Sequence, residues 1–479
     1  MTRCLATALL LVAGGCGAAG VAHAADAERW QAALARAFGA RGFTGASVSA
    51  LVVDRASGAE LFARGADALL VPASTQKLLT AVAALDAFGP AHRFVTEVRS
   101  SRPLGADGAI GDLFVRGGDP ALTSEQWWRL AADLRALGLR EVRGDLVLDD
   151  ALFDEARWHA SWTPVTARAY HAPVSAIAAN FGAFRVRVGP GPVPGAALEV
   201  SVDPAVPYLR VVNEGRTGKR GSASTLAVER KPLAGEERVR VSGSVPAGAE
   251  PDDVWRSVAD PLAYAGAVLR MQLAANGVRV SGTTRRGAAA PGATLLLEFE
   301  GHPLQQIASL FLKYSNNFIA EALVKWLALG PAPVAGAPPG SWAAGTRALE
   351  GRLATLGVPL DGARLVDGSG LSRANRVSAR VLVETLRRGE ASFVAGPELL
   401  AALPLAAEDG TLAKRAASAR GRVRAKTGSL DGVTSLAGFA RTERGRDLVF
   451  AVLVNGYRNG DRAAADAMDA VAAALVRDL

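Results

Sequence analysis

Residues 70–81, LVPASTQKLLTA, set a serine and a lysine three positions apart where a helix begins. Pro72 suits the opening turn, and Leu78, Leu79, Val82 and Leu85 form an apolar stripe of helical period. Gly89-Pro90 ends the pattern. On such a helix Ser74 and Lys77 share a face, close enough to interact. A serine hydroxyl is a weak nucleophile that needs a neighbouring base, and the chain has no His–Asp pair in a suitable context. A Ser–Lys pair is then the simplest arrangement for acyl transfer. Two other stretches carry residues of the same kind: Ser315-Asn316-Asn317 between two helical patterns, and Lys426-Thr427-Gly428 at the end of a strand. Taken singly, each stretch also has a structural reading. The first fits a capping serine with a solvated lysine, the second a polar helix corner capped by Ser315 or Asn316, the third a basic strand end with a turn glycine. The order Ser-x-x-Lys, Ser-x-Asn, Lys-Thr-Gly makes them informative together.

The elements that must hold these residues come from both ends of the chain. Residues 46–65, ASVSALVVDRASGAELFARG, read as two strands joined by a turn at Ser57-Gly58. RVRAKTG, TSLAGFAR and DLVFAVLVNG read as three more strands, the last two linked tightly through TERGR. A closing helix starts near Arg462, with Met468, Val471 and Leu475 on one face, and helical patterns dominate 303–329 and 377–386. The expected core is therefore α/β, five strands with packing helices. Between His92 and about Gly282 lie short β-like runs such as FRVRVG, YLRVVN and RVRVSGSV, with isolated helices near EQWWRLAADLRALG and PLAYAGAVLRMQLAANG. This reads as an insertion, residues 92–282, nested as two subdomains inside a domain made of 25–91 and 283–479.

At 479 residues, 49% hydrophobic and 21% charged, the chain is globular and large enough for two or three domains. Its net charge of +8 comes mostly from scattered arginines, with no Lys/Arg run and no aromatic interleaving, which argues against nucleic acid. Residues 1–24 follow the charged, apolar, small-x-small order of a secretory signal, with cleavage expected before Ala25 and a periplasmic destination. AGGC ending at Cys16 weakly resembles a lipoprotein box, a rival to soluble export. Both cysteines, Cys4 and Cys16, fall in that segment, so the mature chain is expected to have no disulfide and no cysteine nucleophile. Five histidines without metal-ligand spacing disfavour a zinc hydrolase. No cofactor, metal or transmembrane anchor is expected.

The three motifs together are the signature of penicillin-binding proteins and class A β-lactamases. Within that superfamily the chain resembles the D-alanyl-D-alanine carboxypeptidase/endopeptidase family, the class C low-molecular-mass penicillin-binding proteins. FVRGGDPALT at Phe114–Thr123, AYHAPVSAIAANFGAFRV at Ala169–Val186 and LVDGSGLSRANRVS at Leu365–Ser378 support the resemblance, which covers nearly the whole mature chain. It implies a β-lactamase/transpeptidase-like core, a five-stranded antiparallel sheet flanked by helices, with a large β-rich insertion. It also implies that Ser74 attacks a D-Ala-D-Ala bond of a peptidoglycan stem peptide, with Lys77 accepting its proton. Ser315 would relay that proton, bridging Lys77 and Lys426, and Asn317 would hold a substrate amide. Lys426 and Thr427 would face the terminal carboxylate, Gly428 would allow close approach, and the backbone N–H groups of Ser74 and Ser429 would form the oxyanion hole. β-Lactams would act as covalent inhibitors. The middle motif here is Ser-Asn-Asn rather than Ser-Asp-Asn, a change at a position the chemistry does not require. Some relatives carry an acid just before the Ala172-Pro173 stretch, and WTPVTARAYHAP has none. Rival readings are a serine β-lactamase, against which no Glu-x-x-Leu-Asn stretch is present, and a non-catalytic wall-binding or β-lactam-sensing protein on the same fold.

Overall fold

A computed structural model describes residue 28 and residues 30–334 and 336–477. The segment read as an export signal, with its alternative at Cys16, lies outside the described residues. Five strands form one antiparallel sheet: β1 (Ser47–Asp54), β2 (Glu60–Arg64), β3 (Val423–Leu430), β4 (Val433–Arg441) and β5 (Asp447–Asn455), in the order β3-β4-β5-β1-β2. The expected sheet is therefore present, with β1 between β2 and β5; Val52 pairs with Phe62 on one side and Phe450 on the other.

β5 is an almost unbroken apolar run because both faces of the sheet are covered. Leu51, Val53, Val449, Ala451 and Leu453 face a core shared with α1 (Lys77–Phe88), α3 (Asn317–Leu329) and α5 (Ala379–Ala391). The alternate residues Ala50, Val52, Phe450, Val452 and Val454 face Met468, Val471 and Leu475 of α6 (Asp461–Val476). α2 (Leu304–Tyr314) and α4 (Trp342–Thr355) complete the helical layer over the first face. Among the described residues, no helix is long and apolar enough to cross a membrane.

The inserted region builds a second five-stranded sheet in the order Thr284–Arg286, Leu146–Asp149, Leu113–Arg116, Arg93–Ser100, Thr294–Pro303. The boundary read at Gly282 therefore falls short of the last two inserted-sheet strands. Thr294–Pro303 pairs antiparallel with Arg93–Ser100, so the chain returns to the inserted sheet once more before α2 begins. Helices Ser124–Ala136 and Pro261–Ala275 pack on this sheet, and two three-stranded sheets hold the β-like runs near 184, 209 and 238. One buried core runs through the region, from Val98 and Leu130 to Phe184 and Val241. Leu152, Phe153, Trp162, Ala172 and Val174 pack instead with Leu78, Leu323 and Trp342, so this stretch joins the core between the first five-stranded sheet and its helices.

Candidate active site

Ser74 stands in a single 3₁₀ turn, Ala73–Gln76, that runs straight into α1. Ala73 has φ 49°, the left-handed region, which is costly for a residue with a Cβ and is kept only where the surroundings enforce it. Two glycines do so here. A Cβ on Gly370 would come within 1.8 Å of the Ala73 carbonyl oxygen. One on Gly428 would lie 2.2 Å from Ser435 Oγ and 2.9 Å from both Pro72 O and Ser74 N. The turn carrying Ser74 is thus clamped between the 365–378 loop and strand β3, and Ser435 Oγ donates to Pro72 O at 2.6 Å from the neighbouring strand.

Lys77 is fully buried. Its Nζ donates to Ser74 Oγ at 3.0 Å, to Asn317 Oδ1 at 2.7 Å and to the Ser369 carbonyl at 2.8 Å. Burial lowers its pKa to about 7, with Glu321 and Asp367 pulling the other way. Asn317 begins α3 and donates through Nδ2 to the Tyr170 carbonyl at 3.0 Å, which ties the inserted region to the site. Asn316 is the helix cap, its Oδ1 accepting from Ile319 N at 3.0 Å. Ser315 ends α2 in the left-handed conformation with φ 57°.

Lys426 is also fully buried; desolvation, then the charge of Lys77, hold its pKa well below the usual lysine value. Its Nζ donates to the Thr427 carbonyl at 2.7 Å, and Thr427 Oγ1 donates to Thr411 Oγ1 at 2.8 Å. Ser74, Ser315, Asn317 and Ser429 open onto one cleft of about 830 Å³, walled on the inserted side by Trp162 and Tyr170. All the expected residues therefore converge. The one expected contact not made is the bridge through Ser315: Lys77 uses the Ser369 carbonyl and Lys426 the Thr427 carbonyl, and neither donates to Ser315.

Sequence reasoning missed the residues behind Lys77. Asp367 accepts from Trp162 Nε1 at 2.9 Å, Gly370 N at 2.8 Å, Ser372 N at 2.6 Å and Asn375 Nδ2 at 2.8 Å, which fixes the shape of the loop. Glu321, buried in α3, accepts from Trp342 Nε1, Gly368 N and Ser369 N. Glu321 follows Asn317 by four residues, one helical turn, and that spacing is the signal that points to it.

Comparison with known proteins places the chain among D-alanyl-D-alanine carboxypeptidases. The chain is 38% identical over 432 residues to the D-alanyl-D-alanine carboxypeptidase of Actinomadura sp. (strain R39), spanning 86% of this chain and 78% of that one. It is 29% identical over 405 residues to the D-alanyl-D-alanine carboxypeptidase DacB of Haemophilus influenzae, spanning 82% of each. The crystal structure of penicillin binding protein 4 (dacB) from Haemophilus influenzae is similar with a TM-score of 0.77 at 26% identity, covering 92% of this chain and 97% of that one. The same protein complexed with a β-lactam gives 0.70 over the same shares. The D-Ala-D-Ala carboxypeptidase 3 (S13) family matches residues 31–477, and this chain belongs to that family.

Proposed function

We propose that the protein is a serine DD-peptidase that cleaves D-Ala-D-Ala bonds of peptidoglycan stem peptides through a Ser74 acyl-enzyme. The observation that carries this reading is the 3.0 Å contact from a fully buried Lys77 Nζ to Ser74 Oγ at the floor of the cleft. A lysine with a pKa near 7 is neutral often enough at neutral pH to accept a proton. Ser74 Oγ forms the bond to the carbonyl carbon while its proton passes to Lys77 Nζ. The backbone N–H groups of Ser74 and Ser429 receive the oxyanion, each donor worth about 3 kcal/mol. The C–N bond then breaks, and the departing D-Ala nitrogen takes a proton by way of Ser315. Ser315 meets that nitrogen once substrate is seated, since hydrogen bonds of this kind are often loose without it. Asn317 holds the substrate amide, Lys426 and Thr427 face the terminal carboxylate, and Gly428 lets the peptide run against β3. Water releases the acyl group.

β-Lactams acylate the same serine, a reading supported by the β-lactam complex of the similar Haemophilus influenzae protein. Cleavage of crosslinks between D-Ala and a diamino acid is a further part of the proposal, supported by the cleft's volume and its reach from Ser74 to Asp431 and Asp461. Incubation with a D-Ala-D-Ala peptide should release free D-alanine. Rapid, repeated turnover of penicillin without D-alanine release would favour a β-lactamase, and binding with neither activity would favour a sensor. We place the catalytic domain at 25–91 and 283–479, apart from the inserted-sheet strands Thr284–Arg286 and Thr294–Pro303, and assign the inserted region to shaping access of the polymer.

Export to the periplasm belongs to the same proposal, supported by the charged, apolar and small-residue order of residues 1–24. The intact mass of the mature protein should correspond to a chain starting at Ala25. A diacylated Cys16 at the N-terminus would overturn soluble export.

A further inference from the structure

The mechanism above uses no carboxylate, yet two are buried behind Lys77. Asp367 is consumed by its four donors, two of them backbone groups of its own loop. Glu321 is placed differently. Its Oε1 accepts from Ser369 N at 2.8 Å, and its Oε2 accepts from Gly368 N at 3.0 Å and Trp342 Nε1 at 2.7 Å. Ser369 is also the residue whose carbonyl receives Lys77 Nζ, and the Gly368 carbonyl receives Thr80 Oγ1, one turn further along α1, at 2.8 Å. The Gly368–Ser369 peptide group therefore runs from Glu321, through its N–H, to Thr80 on α1, and the next peptide group, whose Ser369 carbonyl receives Lys77, has its Gly370 N–H on Asp367. Glu321 thus holds, by its N–H, the residue whose carbonyl receives Lys77, and the same charge lies close enough to favour the protonated lysine.

We propose that Glu321 is a positioning residue of the acylation step, which fixes the Ser369 carbonyl against Lys77 and sets how readily Lys77 gives up its proton. The inference rests on the Ser74–Lys77 reading and goes beyond it. The charged groups around the pair are Asp367 on the loop, Lys325 one turn along α3 and Lys426 on β3, with His159 of the inserted region facing Asp367. Glu321 is itself pushed up to about 7, chiefly by burial and then by Asp367. A charged Glu321 in turn favours the protonated form of Lys77.

The sign follows from the charges. Lys77 must be neutral to take the Ser74 proton, so acylation is slow at low pH and rises as Lys77 loses its charge. A negative Glu321 favours charged Lys77. Removing it lets Lys77 deprotonate at lower pH, and the acid limb of the profile moves down by about one pH unit.

The test is the rate of acylation by a fluorescent penicillin from pH 5 to 9. It compares the parent with E321Q and with E321Q/W342F. In the second variant the indole donor is gone, so a glutamine NH₂ in the place of Oε2 opposes one donor, Gly368 N, instead of two, which eases folding if E321Q alone does not fold. A downward shift of the acid limb in either folded variant supports the proposal. A limb that superposes on the parent's while only the plateau falls marks a merely structural residue and overturns it. A parent that acylates with no acid limb at all overturns the Lys77 reading itself, an outcome visible before any variant is made.

Discussion

Lys77→Arg is expected to fold, to melt close to the parent and to be acylated by penicillin about 10²–10⁴-fold more slowly. The substitution keeps the positive charge and much of the stem. It removes the one property the mechanism needs, because arginine stays protonated throughout the working range. Lys77 reaches a pKa of about 7 through burial, and no comparable desolvation brings a guanidinium near neutrality. If Lys77 were only an anchor between Asn317 and the Ser369 carbonyl, an arginine with more donors would serve as well. Near-parental acylation in a folded variant would therefore sink the Ser74–Lys77 mechanism. Melting has to be measured alongside, since the larger side chain enters a fully packed site.

Gly428→Ala is the second large effect. The added methyl would lie 2.2 Å from Ser435 Oγ and 2.9 Å from Pro72 O and Ser74 N, and two of these three atoms belong to backbone. Strand β3 must then move away from the Ser74 turn, which widens the gap between the Ser74 and Ser429 backbone N–H groups proposed to receive the oxyanion. Loss of one such donor costs about 10²–10³-fold in rate, and acylation should fall by at least that much. Overpacking should also cost about 1–3 kcal/mol of stability, seen as a lower melting temperature. Gly351 in α4 is the control: a Cβ there meets nothing within 4 Å, so Gly351→Ala should leave acylation unchanged and the helix no weaker. Equal acylation by the parent and Gly428→Ala would mean that β3 has no part in aligning Ser74.

What the sequence made legible was whatever residue type and spacing encode locally. The Ser74–Lys77 pair, the Asn316 cap, the three closing strands and the helix after Arg462 each carry their signal within about a dozen residues, and each stands where that signal points. The missed parts act through backbone or across long separations. Lys77 bonds to a carbonyl of Ser369, and any residue type supplies a carbonyl. Trp162 reaches Asp367 from the inserted region, a contact no periodicity announces. The strand Thr294–Pro303 has its partner, Arg93–Ser100, some two hundred positions earlier, so its allegiance to the inserted sheet is settled by pairing rather than composition.

The place of β1 in the catalytic sheet has a consequence for the timing of assembly. β1 lies near the start of the chain, yet one of its two edges is reserved for β5, with Val52 opposite Phe450. A ribosome delivers about 5–20 residues each second, so β1 waits tens of seconds for its partner to be synthesised. Closing so long a loop is entropically unfavourable and slow, and the edge stays open until it happens. β3, which abuts the Ser74 turn, joins the sheet only through β4 and β5. A nascent or truncated chain therefore has no assembled Ser74 turn against β3, and the site is completed only with about the last eighth of the polypeptide.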